Sequence, residues 1–259
     1  MKEFFQHKSI VVTGASAGLG RALVLALASF NCKIAGLARS TGTLQQLEKE
    51  VAEKGSKFLP VTCDVSKEDD CKNAMQQVIN HFGKIDILIN NAGFSNIRLF
   101  EPEKHIAITR EVMETNFFGS VYCTAYAHDS IVAQKGSIVN ISSVAGYSPL
   151  VGRTAYAASK HAMHGFFNTL GAELSGKGVH VMIVCPTFIE TNIRRDNNKK
   201  VETEALTPEY VANEILKGIV KKQRILIIGK TAVLSWWMNR LFPRLYEKLM
   251  IKNQMKKIV

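Results

Sequence analysis

The sequence is poor in features that would hold a metal, a disulfide framework or a membrane span. Its five cysteines, Cys32, Cys63, Cys71, Cys123 and Cys185, include no C-x-x-C pair. An odd number argues against a disulfide set, so single buried thiols in a reducing compartment are expected, and no metal. No stretch approaches the roughly eighteen uncharged apolar residues of a spanning helix. The nearest, ILIIGKTAVLSWWMNRLF, is interrupted by Lys230 and Arg240. The opening MKEFFQHKSI lacks the apolar run of a secretory signal, and a cytoplasmic protein is expected. Tandem repeats, low-complexity segments and dividing linkers are also lacking. Acids are scarce at one end. From Lys217 onward eleven Lys and Arg stand against Glu247 alone, whereas residues 1–216 account for only +1 of the net +11. A nearly neutral body speaks against nucleic-acid binding, and a basic tail suggests a partner surface.

What is present is a regular alternation. Strand-like runs fall at 9–14, 33–38, 57–65, 85–92, 136–143, 179–186 and 224–229. Helical patterns fall between them, at 18–30, 41–54, 67–82, 105–133, 154–175 and 207–222. Strict alternation means βαβ units and a parallel sheet with helices on both faces. Runs such as DILIN and VMIV suit strands buried on both sides. A chain of 259 residues can bury a full α/β core. The expected division is a catalytic domain over 1–229 and a basic helical extension over 230–259. The polar run at 192–205 is read as an irregular loop and a candidate lid.

Four short motifs sit at strand ends, where ligands bind in open α/β sheets. VTGASAGLG places Gly14, Gly18 and Gly20 between the first strand and a helix. Glycine there costs about 1 kcal/mol relative to alanine, but it lets a pyrophosphate approach helix N–H groups. The spacing is not G-x-G-x-x-G, and a flexible turn is the plain alternative. Asn90-Asn91-Ala92-Gly93 closes the fourth strand and Ser142-Ser143 the fifth. Tyr156 and Lys160, four apart, share one helix face. An ammonium near a phenol favours the phenolate and lowers the pKa of a proton donor. Asn116 lies inside a helical pattern that disfavours it. His161 and His164 are given no catalytic role.

With T-G-x-x-x-G-x-G, N-N-A-G, Ser143 and Y-x-x-x-K in this order over about residues 8–229, the chain resembles the short-chain dehydrogenase/reductase family. The resemblance implies a Rossmann-type doubly wound fold with a seven-stranded parallel sheet. It makes Tyr156 the general acid/base. Lys160 lowers the tyrosine pKa and binds the nicotinamide ribose, Ser143 orients the carbonyl, and Asn116 holds a relay water. Cofactor contacts are implied for Gly14, Ser16, Gly18, Leu19 and Gly20, for Asn90, Asn91, Ala92 and Gly93, and for Asp64 and Val65. Pro186, Ile189 and Thr191 resemble the family's P-G-x-x-x-T element, with Thr187 in place of glycine.

The second strand ends Leu37-Ala38-Arg39-Ser40, with no acid to hold a ribose 2′-OH. Arg39 and Ser40 suit a 2′-phosphate, so NADP(H) is expected over NAD(H), although Ala17 stands where many NADP-dependent relatives carry a basic residue. Phe94, Val144, Tyr147, Leu150, Val151, Phe188 and Ile189 form an expected apolar wall for a greasy carbonyl substrate, lipid-like or steroid-like. The tail carries Arg240, Arg244, Lys248, Lys252 and Lys256 at four-residue spacing beside Trp237, Leu241, Leu245 and Leu249, with Pro243 breaking or restarting its helix. Contact with an anionic membrane surface is one reading; packing on the domain or a dimer contact are the others. A homodimer or homotetramer through the helices at 105–133 and 154–175 is expected. The rival functions are an NAD-linked alcohol dehydrogenase and a non-catalytic NADP(H)-binding sensor or scaffold.

Overall fold

The computed structural model describes residues 1–190 and 205–258. Seven strands, β1 (Ser9–Thr13), β2 (Lys33–Ala38), β3 (Lys57–Thr62), β4 (Ile87–Asn90), β5 (Ser137–Ile141), β6 (His180–Pro186) and β7 (Ile225–Ile228), form one sheet. All neighbours are parallel, in the order β3-β2-β1-β4-β5-β6-β7. The helices are α1 (Lys2–Phe5), α2 (Gly18–Leu27), α3 (Thr41–Ala52), α4 (Glu68–Phe82), α5 (Pro102–Met113), α6 (Gly119–Ala133), α7 (Thr154–Glu173), α8 (Pro208–Val220), α9 (Lys230–Leu241) and α10 (Pro243–Ile258).

Side chains alternate across a strand, and the central strands supply both cores with them. Ile10 and Val12 of β1, Ile87 and Ile89 of β4, and Met182 and Val184 of β6 face α2, α3 and α8. Val11, Leu88, Val181 and Ile183 face α4, α6 and α7. Each fully buried Val, Leu or Ile contributes about 1.5–3 kcal/mol, which is why these runs carry no charge. Helix ends follow local chemistry. Acids fill the first turn of α4, and Gly83, at φ +83°, ends it. Thr207 Oγ1 accepts from the Tyr210 amide to cap α8, whose first residue is Pro208.

Three differences from the sequence reading have physical causes. β3 stops at Thr62 rather than 65: the Cys63 amide still donates to the Ala38 carbonyl, but Asp64 then turns the chain, accepting from the Ser66 amide and hydroxyl. The single helix expected over 105–133 begins at Pro102 and opens into a π turn at Glu114–Phe118. Tertiary bonds to Asn116 accompany that turn and are described below. The unexpected α1 exists because Phe5, fully buried, stacks on Phe30 at 5.5 Å.

Strand order reverses at β1, so the chain leaves β1 and β4 in opposite directions and opens a crevice at their carboxyl ends.

Candidate active site

The crevice holds a cleft of about 410 Å³. Gly14 and Ser16 form its floor, Arg39 its rim, Asp64 and Val65 one side, and Ala92, Gly93 and Phe94 the other. The floor requires glycine. Gly14 sits at φ +66°, and a Cβ there would lie 2.9 Å from the Ala92 Cα. A Cβ on Gly20 would collide with the Gly14 carbonyl oxygen and stand 2.6 Å from Asn91 Nδ2. Close packing between the turn and β4 is therefore part of the glycine requirement. Asn91 and Thr13 stitch the same contact: Asn91 Nδ2 donates to the Thr13 carbonyl at 2.9 Å, and the amides of Asn91 and Ala92 donate to Thr13 Oγ1 at 2.9 Å.

Several residues expected to touch the cofactor are not in the lining of the cleft. Asn90, 1% exposed, points inside and donates to Asn140 Oδ1 and Thr124 Oγ1, so it braces the sheet instead of lining the cleft. Leu19 is buried in the core. Gly18 starts α2 at φ +52°; Gly18, Gly20 and Ser40 shape the turns around the cleft and are not in its lining. Ile189 packs toward the core and bridges to Leu206. Pro186 ends β6 opposite Ile228. Thr191 and the candidate lid over 192–204 lie outside the described residues. The sequence reading missed Ser66, Glu111, Glu114 and Thr115, which also line the cleft; the last two lie in the π turn, a feature no local pattern announces.

The reactive side chains meet beside this cleft. Ser143, in extended conformation, caps a short 3₁₀ turn over Val144–Gly146, its Oγ accepting from the Ala145 amide at 3.3 Å. The Tyr156 hydroxyl, in the first turn of α7, lies near the Ser143 hydroxyl, which favours its ionised form. Lys160 follows on the same face, 3% exposed, with Nζ 5.6 Å from the Tyr156 ring centre and donating to the Ile141 carbonyl at 2.7 Å. Gly93 borders this group: a Cβ would stand 3.0 Å from Asn116 Oδ1 and 3.8 Å from Lys160 Nζ. For the protein chain alone the net shift of the Tyr156 pKa is upward, opposite to the expected direction. Burial raises it, and the opposing pulls of the Ser143 hydroxyl and the Arg153 guanidinium do not overcome that. Burial lowers Lys160 to about 8, since a desolvated ammonium is costly.

Asn116 acts as a clamp. Its Oδ1 accepts from the Phe94 amide, and its Nδ2 donates to the Phe94 carbonyl and to Ser159 Oγ. Its carbonyl takes the Ser120 hydroxyl. The side chain thus joins the end of β4 to α7, while its Oδ1 keeps a second lone pair free of any protein donor among the described residues. Behind the site, Ser142 Oγ and His164 Nε2 stand 2.8 Å apart, with Cys185 3.6 Å from the same nitrogen. Burial drives His164 down to about 4, so it is neutral at physiological pH and props the strand end carrying Ser143.

Among the expected wall residues, Leu150 packs with Tyr156 and Ala145, and Phe94 with Val112 and Ala155. Val144, the first residue of the 3₁₀ turn, and Val151 are half-buried. Phe188 lies under the Arg153 guanidinium at 5.3 Å. Tyr147 is held by α9: its hydroxyl donates to the Ala232 carbonyl at 2.8 Å, and Asn239 Nδ2 donates to its carbonyl at 2.7 Å. Trp236 meets its ring edge-on at 4.7 Å. Thr187 fits because Gly229, at φ +103°, has no Cβ to meet its methyl group; one would come within 2.5 Å.

A bare-backbone cleft at a topological switch point, flanked by a phenol, a hydroxyl and an ammonium, defines a dinucleotide-dependent α/β enzyme. Comparison with known proteins narrows this. The model of short chain dehydrogenases matches residues 8–202. The chain is 34% identical to dehydrogenase/reductase SDR family protein 7-like of Dictyostelium discoideum, over 95% of this chain and 81% of that one. It is 33% identical to 11-beta-hydroxysteroid dehydrogenase 1A of Arabidopsis thaliana, covering 93% and 73%. A short-chain dehydrogenase/reductase of Burkholderia phymatum, solved in complex with NAD, superimposes with TM-score 0.83 at 24% identity, covering 93% and 95%. An alcohol dehydrogenase of Thermococcus sibiricus, complexed with 5-hydroxy-NADP, gives 0.75 at 24% identity, covering 86% and 95%. The chain belongs to the short-chain dehydrogenase/reductase family. It is an NAD(P)-dependent oxidoreductase acting on CH–OH and C=O groups.

Proposed function

We propose that the protein is an NADPH-dependent carbonyl reductase acting on an apolar, lipid-like or steroid-like ketone. The convergence of Tyr156, Ser143 and Lys160 beside the glycine-floored cleft carries the reading. The nicotinamide, when bound, supplies a hydride to the carbonyl carbon. Tyr156 donates a proton to the developing alkoxide oxygen, and Ser143 Oγ hydrogen-bonds the same atom. Lys160, beside the phenol, stabilises negative charge as it forms on Tyr156 and binds the nicotinamide ribose. Arg39 at the rim, with no acid at the end of β2, supports a 2′-phosphate over a free 2′-OH. The hydroxysteroid dehydrogenase relative and the apolar residues around Tyr156 support a greasy substrate. The test is loss of nicotinamide absorbance with NADPH and, separately, NADH, across ketones from short and polar to long-chain and steroidal. Turnover of the greasy ketones with NADPH is expected. Faster oxidation of alcohols with NAD would favour the dehydrogenase alternative, and nucleotide binding without turnover the sensor.

The tail supports contact with an anionic membrane surface. Leu234, Trp237, Leu241, Leu245 and Leu249 on α9 and α10, and Phe242 between the two helices, are exposed beside exposed Arg244 and Lys248. Among the described residues no helix is long and apolar enough to cross a membrane. Because α9 holds Tyr147, charge reversal (Arg244→Glu with Lys248→Glu) tests this better than truncation. Flotation with phosphatidylserine vesicles, abolished by reversal, is expected; equal recovery of both proteins in the unbound fraction removes the idea. Self-association is supported by exposed Phe118 and Phe166 on either side of Phe117, and sedimentation of Phe166→Ser tests it.

A further inference from the structure

Two apolar surfaces meet solvent at the end of the molecule that carries the reactive side chains. One is the tail. The other is the loop joining β4 to α5, where Leu99 and Phe100 are exposed, Phe100 to 65%, followed by exposed Ile106 inside α5. Both leave the parallel sheet at its carboxyl edge, the loop directly after β4 and the tail after β7. Between them runs the segment 150–153, which leads into Tyr156. The Arg98 amide donates to the Gly152 carbonyl at 2.8 Å. On the other side, Met250 of α10 packs against the group formed by Ala145, Leu150 and Tyr156. The loop and the tail thus flank one stretch of chain, a few residues before the reactive phenol.

The loop is held in shape. The Phe100 ring leans on the His105 ring at 4.7 Å. His105 is buried, and its Nδ1 accepts from the Glu101 amide at 2.7 Å, which fixes the start of α5. Arg98 and Lys104 grip the Glu101 carboxylate from either side. Apolar side chains clustered in water and rimmed by charged ones mark a contact surface. Charge selects what covers this one. Arg244, Lys248 and Lys252 are exposed on α10, with Glu247 as its one acid. A second copy of the chain would bring that positive charge against itself. Leucines and a tryptophan beside a cationic stripe suit an anionic bilayer instead.

We infer that the β4–α5 loop is a second membrane-contact element, with Leu99 and Phe100 entering the same anionic lipid surface as the tail. The segment leading into Tyr156 then faces the bilayer, and the substrate class is a ketone that partitions into lipid. The inference rests on the membrane reading of the tail, but its test needs neither turnover nor a known substrate.

Phe100→Cys and Lys54→Cys are each labelled with nitrobenzoxadiazole in the full-length protein. Lys54 lies between α3 and β3, at the opposite edge of the sheet. The five native cysteines are buried, so the introduced thiol takes the label. Vesicles of phosphatidylcholine with or without phosphatidylserine are added, each with and without a lipid bearing a nitroxide on its acyl chain. With phosphatidylserine present, the label at 100 should brighten and be quenched by the nitroxide, and the label at 54 should do neither. Unlabelled Phe100→Ser should bind those vesicles about tenfold more weakly and melt as the wild type does. Flotation of the protein with the label at 100 unchanged, equal quenching of both labels, or undiminished binding of Phe100→Ser would overturn the inference and leave the tail's membrane contact standing. No flotation of the wild type would overturn both. Loss of self-association in Phe100→Ser without lipid would give the loop to a second copy of the chain and overturn the lipid assignment.

Discussion

Replacing Tyr156 by Phe removes one oxygen from the centre of the site. The ring stays, and it carries the packing against Ala145 and Leu150. The lost hydroxyl faces Ser143, whose Oγ keeps the Ala145 amide as a partner. A net hydrogen bond is worth about 0.5–1.5 kcal/mol, and deleting a desolvated phenol offsets part of it. The fold should therefore change in stability by about 1 kcal/mol or less. Catalysis should change far more. A positioned proton donor contributes about 10²–10⁴ in rate, or roughly 2.7–5.4 kcal/mol at 1.36 kcal/mol per decade. The variant should thus bind NADPH with wild-type affinity, melt within a few degrees of wild type, and reduce ketone at least a hundredfold more slowly in single turnover. Single-turnover absorbance, nucleotide fluorescence titration and a thermal melt together separate these terms. A rate within threefold of wild type, with nucleotide bound, would refute the assignment of the proton donor.

Lys160 falls to about 8 in the folded protein from an ordinary 10.5. Between those values the unfolded chain binds more protons, so this group makes stability rise with pH from about 8 to 10.5; denaturant melts across that range check the sign. The same ionisation should give kcat/KM a falling limb near pH 8, which Lys160→Arg removes by keeping its charge. Arg39→Glu should weaken NADPH relative to NADH by about 10- to 100-fold, from the loss of about 1.5–3 kcal/mol of charged hydrogen bonding, read as a ratio of kcat/KM values. Gly14→Ala should destabilise by about 1–3 kcal/mol in a urea melt and abolish nucleotide binding, because the new methyl group meets the Ala92 backbone.

The sheet was legible because a strand covered on both sides has to be apolar throughout, as Ile10-Val11-Val12 and Ile87-Leu88-Ile89 are. The glycine turn was legible because φ +66° at Gly14 leaves little choice of residue. The site's supports were not, since they depend on partners distant in the chain. Asn116 looked like a poor helix residue, and only its bonds to Phe94 and Ser159 explain the π turn around it. Asn90 and Asn91 are adjacent and alike, yet strand alternation sends one into the sheet and the other to the turn. Thr187 departs from the family motif, and Gly229, forty-two positions on, makes room for it. The sign of the Tyr156 shift turned on depth of burial, which a four-residue spacing does not encode.

The grip of α9 on Tyr147 has a mechanical consequence. Tyr147 lies four residues beyond Ser143, and both its hydroxyl and its carbonyl end on the tail. Any load that pulls the last two helices outward is delivered through that tether to the loop beside the reacting carbonyl. A protein shortened after β7 would lose the anchor along with the appendage, and its sluggishness would say nothing about where the appendage goes in the cell.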